Sequence, residues 1–303
     1  MDRPITNRPQ DSILPYIAAR GGEMTILGWA VLAAFASAAS APTDVTGIMA
    51  RVAANQQNAL DARQNYIYRQ EQVIRMRRGN GRLAREQRAE YVVTPTKDGA
   101  DKELAKFEGK YEFKGKYVPY DHPNYQYKDL DLDGDLIQDM AQDMMNDGES
   151  RDGIGHDLFP LTAKEQQKYD FRLLGKEVYR GRPVYRVAFQ PRRGVSHGED
   201  DFDWKGEALI DVQEYQPVMV ETSMAGKVPL AIKLLLGTDI KGLGFSLTYQ
   251  KFADGVWFPV SYGGEFEVRG LFFYKRKISV AMQNTDFRKT DVKSTLVYAM
   301  DAH

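Results

Sequence analysis

The chain has 303 residues, a formal net charge of −1 and no cysteine. This balanced charge provides no global field favouring nucleic acid or a membrane surface, and the missing thiols exclude disulfides, thiolate metal sites and cysteine nucleophiles. An aromatic share of 11%, with 17 tyrosines, favours strands around an extensive apolar core.

The N-terminus predicts a signal peptide over residues 1–41. An apolar run from Thr25 ends in small residues that fit two A-x-A cleavage sites. Because proline at the first mature position hinders cleavage, Pro42 favours a cut near Ala38. A retained anchor is the alternative, but the run is short for a bilayer. We expect a periplasmic or secreted protein with a single mature domain over 42–303.

The mature chain begins with a predicted amphipathic helix, Val45 to Ala62, capped by Thr43 or Asp44. A strand from Asn65 to Arg78 turns at Gly79-Asn80-Gly81 into a partner, Leu83 to Thr94. We expect its arginines to share one solvated face, and they could also complement the acidic insert described next. Asp98 to Tyr127 predicts only loops and short strands.

An acidic insert from Asp121 to Asp157 contains a predicted short helix with a methionine-bearing face, capped by Asp133 or Asp135. Its apolar positions are Leu136, Ile137, Met140, Met144 and Met145. The stretch from Asp129 to Leu136 matches the first half of an EF-hand loop. Position twelve is Met140 instead of a bidentate glutamate, so we expect an acidic cap and no metal.

Thr162 to Glu165 forms a capping box, and four strands follow. They are Phe171 to Tyr179, Pro183 to Gln190, Trp204 to Asp211 and Pro217 to Met224. Lys227 to Gly244 carries an apolar patch at Leu230 to Leu236, either a buried helical turn or a flap.

A long hairpin from Phe245 to Tyr262 is predicted around a two-residue turn at Asp254-Gly255. That turn pairs Tyr249 with Val260, Leu247 with Tyr262 and Thr248 with Ser261, which sorts the apolar residues onto one face. Gly263-Gly264-Glu265 predicts a further bulged turn. The last strand is Ile278 to Phe287.

The familiar catalytic signatures are missing from the sequence, including G-x-S-x-G, H-E-x-x-H, the Walker A loop and the Rossmann fingerprint. We therefore expect a non-enzymatic protein without a cofactor. The alternative is a hydrolase of envelope glycans or lipids that uses loop carboxylates, with Glu199, Asp200, Asp201 and Asp203 as its candidates.

Three stretches resemble the outer-membrane lipoprotein carrier (LolA-like) superfamily, which also includes RseB-like sensors. They are Asn65 to Arg69, Gly206 to Asp211 followed by Pro217-Val218, and Asp254 to Pro259. The resemblance implies a mainly β (α+β) fold, an open antiparallel half-barrel with helices in its concave face. It also implies a carrier or sensor that holds acyl chains of lipids or lipoproteins, with envelope proteins or transient membrane contact as further partners.

On that basis we predict an apolar cavity closed by a lid. The predicted wall consists of Tyr66, Tyr68, Ile74, Met76, Phe245, Leu247, Tyr249, Phe258, Val260, Tyr262, Phe266 and Val268. The predicted lid consists of Leu136, Ile137, Met140 and Met144. The alternative is an envelope interaction protein whose concave face is filled by its own helices.

Overall fold

The computed structural model describes residues 44–96, 99–143, 159–194, 203–226, 238–252, 255–270 and 274–290. The chain divides after Ala41 into two units, and every described residue belongs to the second. The predicted signal peptide, Met144, the patch at 230–236 and the carboxylates at 199–201 lie outside the described residues. No helix within the described ranges is long and apolar enough to cross a bilayer.

The described residues form three helices and twelve strands. The helices are α1 (Val45–Arg63), α2 (Leu132–Asp143) and α3 (Ala163–Gln166). The strands are β1 (Tyr66–Arg78), β2 (Leu83–Pro95), β3 (Ala100–Phe113), β4 (Lys116–Tyr120), β5 (Tyr169–Tyr179), β6 (Arg182–Pro191), β7 (Trp204–Asp211), β8 (Pro217–Met224), β9 (Thr238–Lys241), β10 (Gly244–Lys251), β11 (Trp257–Gly270) and β12 (Tyr274–Lys289).

All twelve strands belong to one antiparallel sheet, in the order β4-β3-β2-β1-β12-β11-β10-β8-β7-β6-β5, with β9 added beside β11. The two end strands, β4 and β5, do not pair with each other in the described residues, so the sheet stays open. One face carries the apolar core together with side chains from α1 and α2. The predicted fold class, an open antiparallel sheet with helices on its inner face, is confirmed.

Local signals in the sequence place several elements correctly. The Asp44 carboxylate accepts a hydrogen bond from the Thr46 N–H at 3.0 Å and caps α1. Thr162 caps α3 by accepting from the Glu165 N–H at 3.3 Å. The strands β7 and β8 have the predicted bounds. These features depend on neighbouring residues, which is why sequence alone can predict them.

The hairpin of β10 and β11 forms, but its predicted register is only partly right. Leu247 pairs with Tyr262 and Thr248 with Ser261, as expected, whereas Tyr249 pairs with Pro259 and not with Val260. The cause is a longer turn, because the Phe252 N–H donates to the Val256 carbonyl at 3.0 Å. Three residues therefore lie inside the closing pair, and Val260 becomes a bulge that restores the register.

The predicted turn at Gly263-Gly264-Glu265 is wrong, since β11 runs without interruption from Trp257 to Gly270. These glycines lie where neighbouring strands come close together. A Cβ atom on Gly264 would lie 2.2 Å from the Gly244 carbonyl oxygen and 2.7 Å from Phe245 Cδ1. A glycine pair in a strand pattern can mark such an approach as well as a turn.

Loops with short strands were expected over 98–127, and this is also wrong. The long strand β3 and its partner β4 occupy most of the segment. β3 lies next to the open edge, and none of its residues is buried: half are exposed and half are half-buried. Its sequence therefore lacks the apolar alternation that identifies a half-buried strand.

We expect Gly264→Ala to lower the free energy of unfolding by about 1–3 kcal/mol, because the added methyl group has to displace backbone. The matched control is Gly47→Ala in α1, where the new Cβ meets nothing within 4 Å. That change should stabilise by about 0.5–1 kcal/mol, since alanine favours helix more than glycine. Urea denaturation of both variants checks the opposite signs, and equal effects would contradict the close approach.

Candidate functional site

The predicted cavity wall lies almost entirely on the buried side of the sheet. Eleven of its twelve residues are buried, and the exception is the half-buried bulge residue Val260. Eight of the eleven join the main apolar core with α1 and α2. These eight are Ile74, Met76, Phe245, Leu247, Tyr249, Tyr262, Phe266 and Val268.

The other three wall residues, Tyr66, Tyr68 and Phe258, form a separate aromatic cluster around Phe287. The Phe287 ring centroid lies 5.1 Å from that of Tyr68 and 4.4 Å from that of Phe258. The buried Arg63 guanidinium, at the end of α1, lies 6.0 Å from the ring centroids of both Tyr249 and Phe258. The predicted wall is thus divided into two apolar regions.

A row of buried amides accompanies this division, and the sequence prediction omitted it. Gln70 donates to the Asn284 side-chain oxygen at 3.0 Å, and Asn284 donates to the Pro259 carbonyl at 2.9 Å. Gln72 and Lys102 both donate to the Gln70 side-chain oxygen, at 2.9 and 2.8 Å. The sequence did contain the information needed to predict these buried amides. Alternate residues of a strand lie on one face, so Gln70 and Gln72 share the face of Tyr68 and Ile74.

The helix that carries the predicted lid residues Leu136, Ile137 and Met140 forms as α2, and its apolar side faces the sheet. Ile137 and Met140 are buried in the main core, and Leu136 is half-buried against it. The helix is capped by Asp131, which accepts from the Gly134 N–H at 3.0 Å. The predicted caps, Asp133 and Asp135, lie instead in the first turn of α2.

Asp131 also forms a buried ion pair with Arg85 of β2. The two charged atoms are 2.5 Å apart and both side chains are only 1% exposed. Arg85 Nε donates to the Tyr120 hydroxyl at 3.1 Å, and another guanidinium nitrogen donates to the Tyr125 carbonyl. Burial opposes the charge on Arg85, but Tyr120 and Asp131 outweigh it and raise the Arg85 pKa.

A second ion pair holds the same end of α2 to β12. The Arg276 guanidinium contacts both Asp133 carboxylate oxygens, at 2.8 and 3.0 Å, and the Tyr274 hydroxyl donates to Asp133 at 2.8 Å. Burial and the Asp133 charge raise the Tyr274 pKa. Two carboxylates of the EF-hand-like stretch are thus used in structural pairs, as its acidic-cap interpretation requires.

Helix α1 is attached elsewhere, to the loop between β7 and β8. Gln56 donates to Gln216 at 2.8 Å, and Asn55 donates to the Glu214 carbonyl at 2.6 Å. The Glu214 carboxylate receives Lys251 at 2.8 Å and the Trp257 indole N–H at 2.9 Å. Burial alone would raise the Glu214 pKa, but these two hydrogen bonds lower it below its ordinary value.

The other polar residues considered for a functional role, as metal ligands, catalytic carboxylates or a polyanion site, have less structural support. Across the described ranges, no group of three or more His, Asp or Glu side chains is close enough to hold a metal ion. Of the carboxylates considered for a hydrolase, Asp203 alone is described, and it is half-buried just before β7. On β1, by contrast, Arg69 and Arg75 pair with Glu90 and Glu86 of β2, and Arg78 pairs with Glu112 of β3.

Comparison with known proteins yields matches to solved structures only, since no family model and no curated protein matches. A DUF1329 family protein from Desulfovibrio piger is 12% identical, covering 82% of this chain and 94% of its own, with a TM-score of 0.36. A putative outer membrane lipoprotein-sorting protein domain from Vibrio parahaemolyticus is 13% identical over 80% and 94%, with a TM-score of 0.37. A LolA superfamily protein from Nitrosomonas europaea is 10% identical over 78% and 94%, with a TM-score of 0.29.

The LolA superfamily is thus named among the matches. A function for this chain has to be inferred from its own residues.

We expect Arg85→Met to lower the free energy of unfolding by about 3–5 kcal/mol, because it leaves the Asp131 carboxylate buried without its cation. Arg88→Met on the same strand is the control. Arg88 pairs with Glu71 at 3.0 Å but is 52% exposed, so its loss should cost less than about 1 kcal/mol. Urea denaturation measures both, and adding Asp131→Leu to Arg85→Met should restore part of the loss.

Proposed function

We propose that the protein is a non-enzymatic carrier or sensor, periplasmic or secreted, that holds an acyl chain of a lipid or lipoprotein against the inner face of its sheet. The observation that carries this proposal is the apolar face of the sheet, from β1 and β12 across to β6, which the separate helices α1 and α2 cover. An acyl chain needs such a surface and can replace the side chains that cover it.

The attachment of α2 supports a lid that can move. Two ion pairs hold its N-terminal end, where Asp131 and Asp133 meet Arg85 and Arg276. Its described body contacts the core through apolar side chains such as Ile137 and Met140. An acyl chain can offer α2 apolar contacts of the same kind as those it makes with the core. The ion pairs would keep the N-terminal end of the helix attached meanwhile.

The residue types in the core also support an adaptable site. Four methionines, Met49, Met76, Met140 and Met282, are buried in the same cluster. Methionine is unbranched and polarisable, so it can repack around apolar guests of different shapes. Met140 belongs to α2 and the other three to α1, β1 and β12, which distributes this adaptability over both sides of the proposed site.

The proposal is tested by extracting lipid from the full chain purified from its own host and by titrating a fluorescent fatty acid. We expect a co-purifying amphiphile and saturable binding of the probe. Protein that carries no amphiphile and also ignores the probe would contradict the proposal. It would favour an interaction protein whose concave face is filled by its own helices.

The role of α2 is tested by Asp133→Asn, which weakens the pair with Arg276 and Tyr274. If α2 covers the ligand, the dissociation rate of the fatty-acid probe should rise about tenfold, the equivalent of one charge-assisted hydrogen bond. Asp135→Asn, in the same helical turn, is the control, because the Asp135 carboxylate accepts from the neutral side-chain amide of Gln126. Stopped-flow fluorescence measures both rates, and equal rates would exclude α2 as the lid.

A further inference from the structure

A second apolar surface lies outside the core, where the β3–β4 hairpin meets the loop before α2. Five large side chains are exposed there, which we call the tip patch. They are Phe113 (44% exposed), Tyr117 (53%), Tyr127 (36%), Leu130 (65%) and Leu132 (38%). Scattered exposed apolar residues are ordinary, but a group at neighbouring loop ends indicates an interaction surface.

Phe113 and Tyr127 of the tip patch are firmly supported from below, whereas Tyr117, opposite Glu112 in the register, lies on the other face of the hairpin from Phe113. The ring centroids of Phe113 and Tyr127 are 6.0 Å apart, and Tyr127 stacks on Tyr111 at 4.9 Å. The Tyr127 N–H donates to the Asp131 carboxylate at 3.4 Å, and that carboxylate belongs to the buried pair with Arg85. These contacts hold the exposed rings in place before any partner binds, which lowers the entropy cost of binding.

Lysines surround the tip patch. The Lys114 ammonium lies 5.2 Å from the Phe113 ring centroid, and that of Lys128 lies 5.1 Å from the Tyr127 ring centroid. Lys116 is exposed beside them. Of the nearby acids, Glu112 and Asp133 are neutralised by ion pairs with Arg78 and Arg276, whereas Asp129 is exposed and Asp135 contacts the neutral Gln126. The three lysines outnumber these two carboxylates, so the local charge is weakly positive, although the whole chain is nearly neutral.

We propose that the tip patch docks onto the surface of an anionic phospholipid bilayer. Tyrosine and leucine side chains can enter the interface between headgroups and acyl chains. The flanking lysines can place their stems along the apolar layer and their ammonium groups among the phosphates. A protein partner fits less well, because lysine is depleted in protein–protein interfaces. This docking is independent of any ligand held inside the fold.

The first test uses the absence of cysteine, which allows one dye at one chosen position. In the full chain, Leu130→Cys labelled with an environment-sensitive dye should shift its emission to the blue. The vesicles are phosphatidylcholine containing about one third phosphatidylglycerol, an anionic surface. The control is Val178→Cys, 72% exposed on β5 at the other end of the sheet order, whose dye should not shift.

Both labelled proteins carry the same apolar run at Thr25 to Ala41. Membrane binding through that run alone would leave the dye at position 130 unshifted, which would overturn the proposal. An equal shift at positions 130 and 178 would overturn it too.

The second test measures partition into the same vesicles by sedimentation. Leu130→Ser should weaken partition about tenfold through lost apolar contact. The double variant Lys114→Gln/Lys128→Gln should weaken it about 25-fold, and salt at about 1 M should have a similar effect. Lys205→Gln, an exposed lysine on β7, is the control and should leave partition unchanged. If neither tip-patch variant alters partition, the patch does not dock on lipid.

Discussion

The buried ion pair between Arg85 and Asp131 determines how the inner side of the sheet is covered. Two charges that are 1% exposed would be costly without partners. The Asp131 carboxylate therefore meets Arg85 and also the backbone N–H groups of Tyr127 and Gly134. One side chain thus fixes the end of the 121–131 loop, the start of α2 and the position of the stacked tyrosines, so α2 and the tip patch share a single anchor.

The interior is less uniform than a carrier cavity lined only by apolar groups. The amides of Gln70, Gln72 and Asn284 are buried and hydrogen-bonded among themselves. Their polar row runs between an aromatic region around Phe287 and the larger core beneath α1 and α2. Because buried polar groups need their partners to stay in place, this row resists rearrangement. A helix that moves to admit a ligand is therefore easier to accommodate over the larger core than over the aromatic region.

Sequence reasoning succeeded where structure depends on neighbouring residues and failed where it depends on distant ones. The caps Asp44 and Thr162 and the bounds of β7 and β8 follow from short patterns. Val260 became a bulge because the turn before it is one residue longer than its Asp-Gly pair suggested. Nothing local marks Gly264 as a site of strand contact, or distinguishes the buried Arg85 from the exposed Arg88 on the same strand. Both depend on partners brought together by the whole sheet.

The first and last described strands, β1 and β12, lie side by side in the middle of the sheet, with Tyr66 opposite Lys289. Among the described residues, the strands β2 to β4 join the rest of the sheet through this central pair. A chain synthesised from its N-terminus holds β1 without its central neighbour until nearly all of it is available. Contacts of such high sequence separation slow folding. The topology therefore makes completion of the sheet a late step, which depends on the two ends of the mature sequence finding each other.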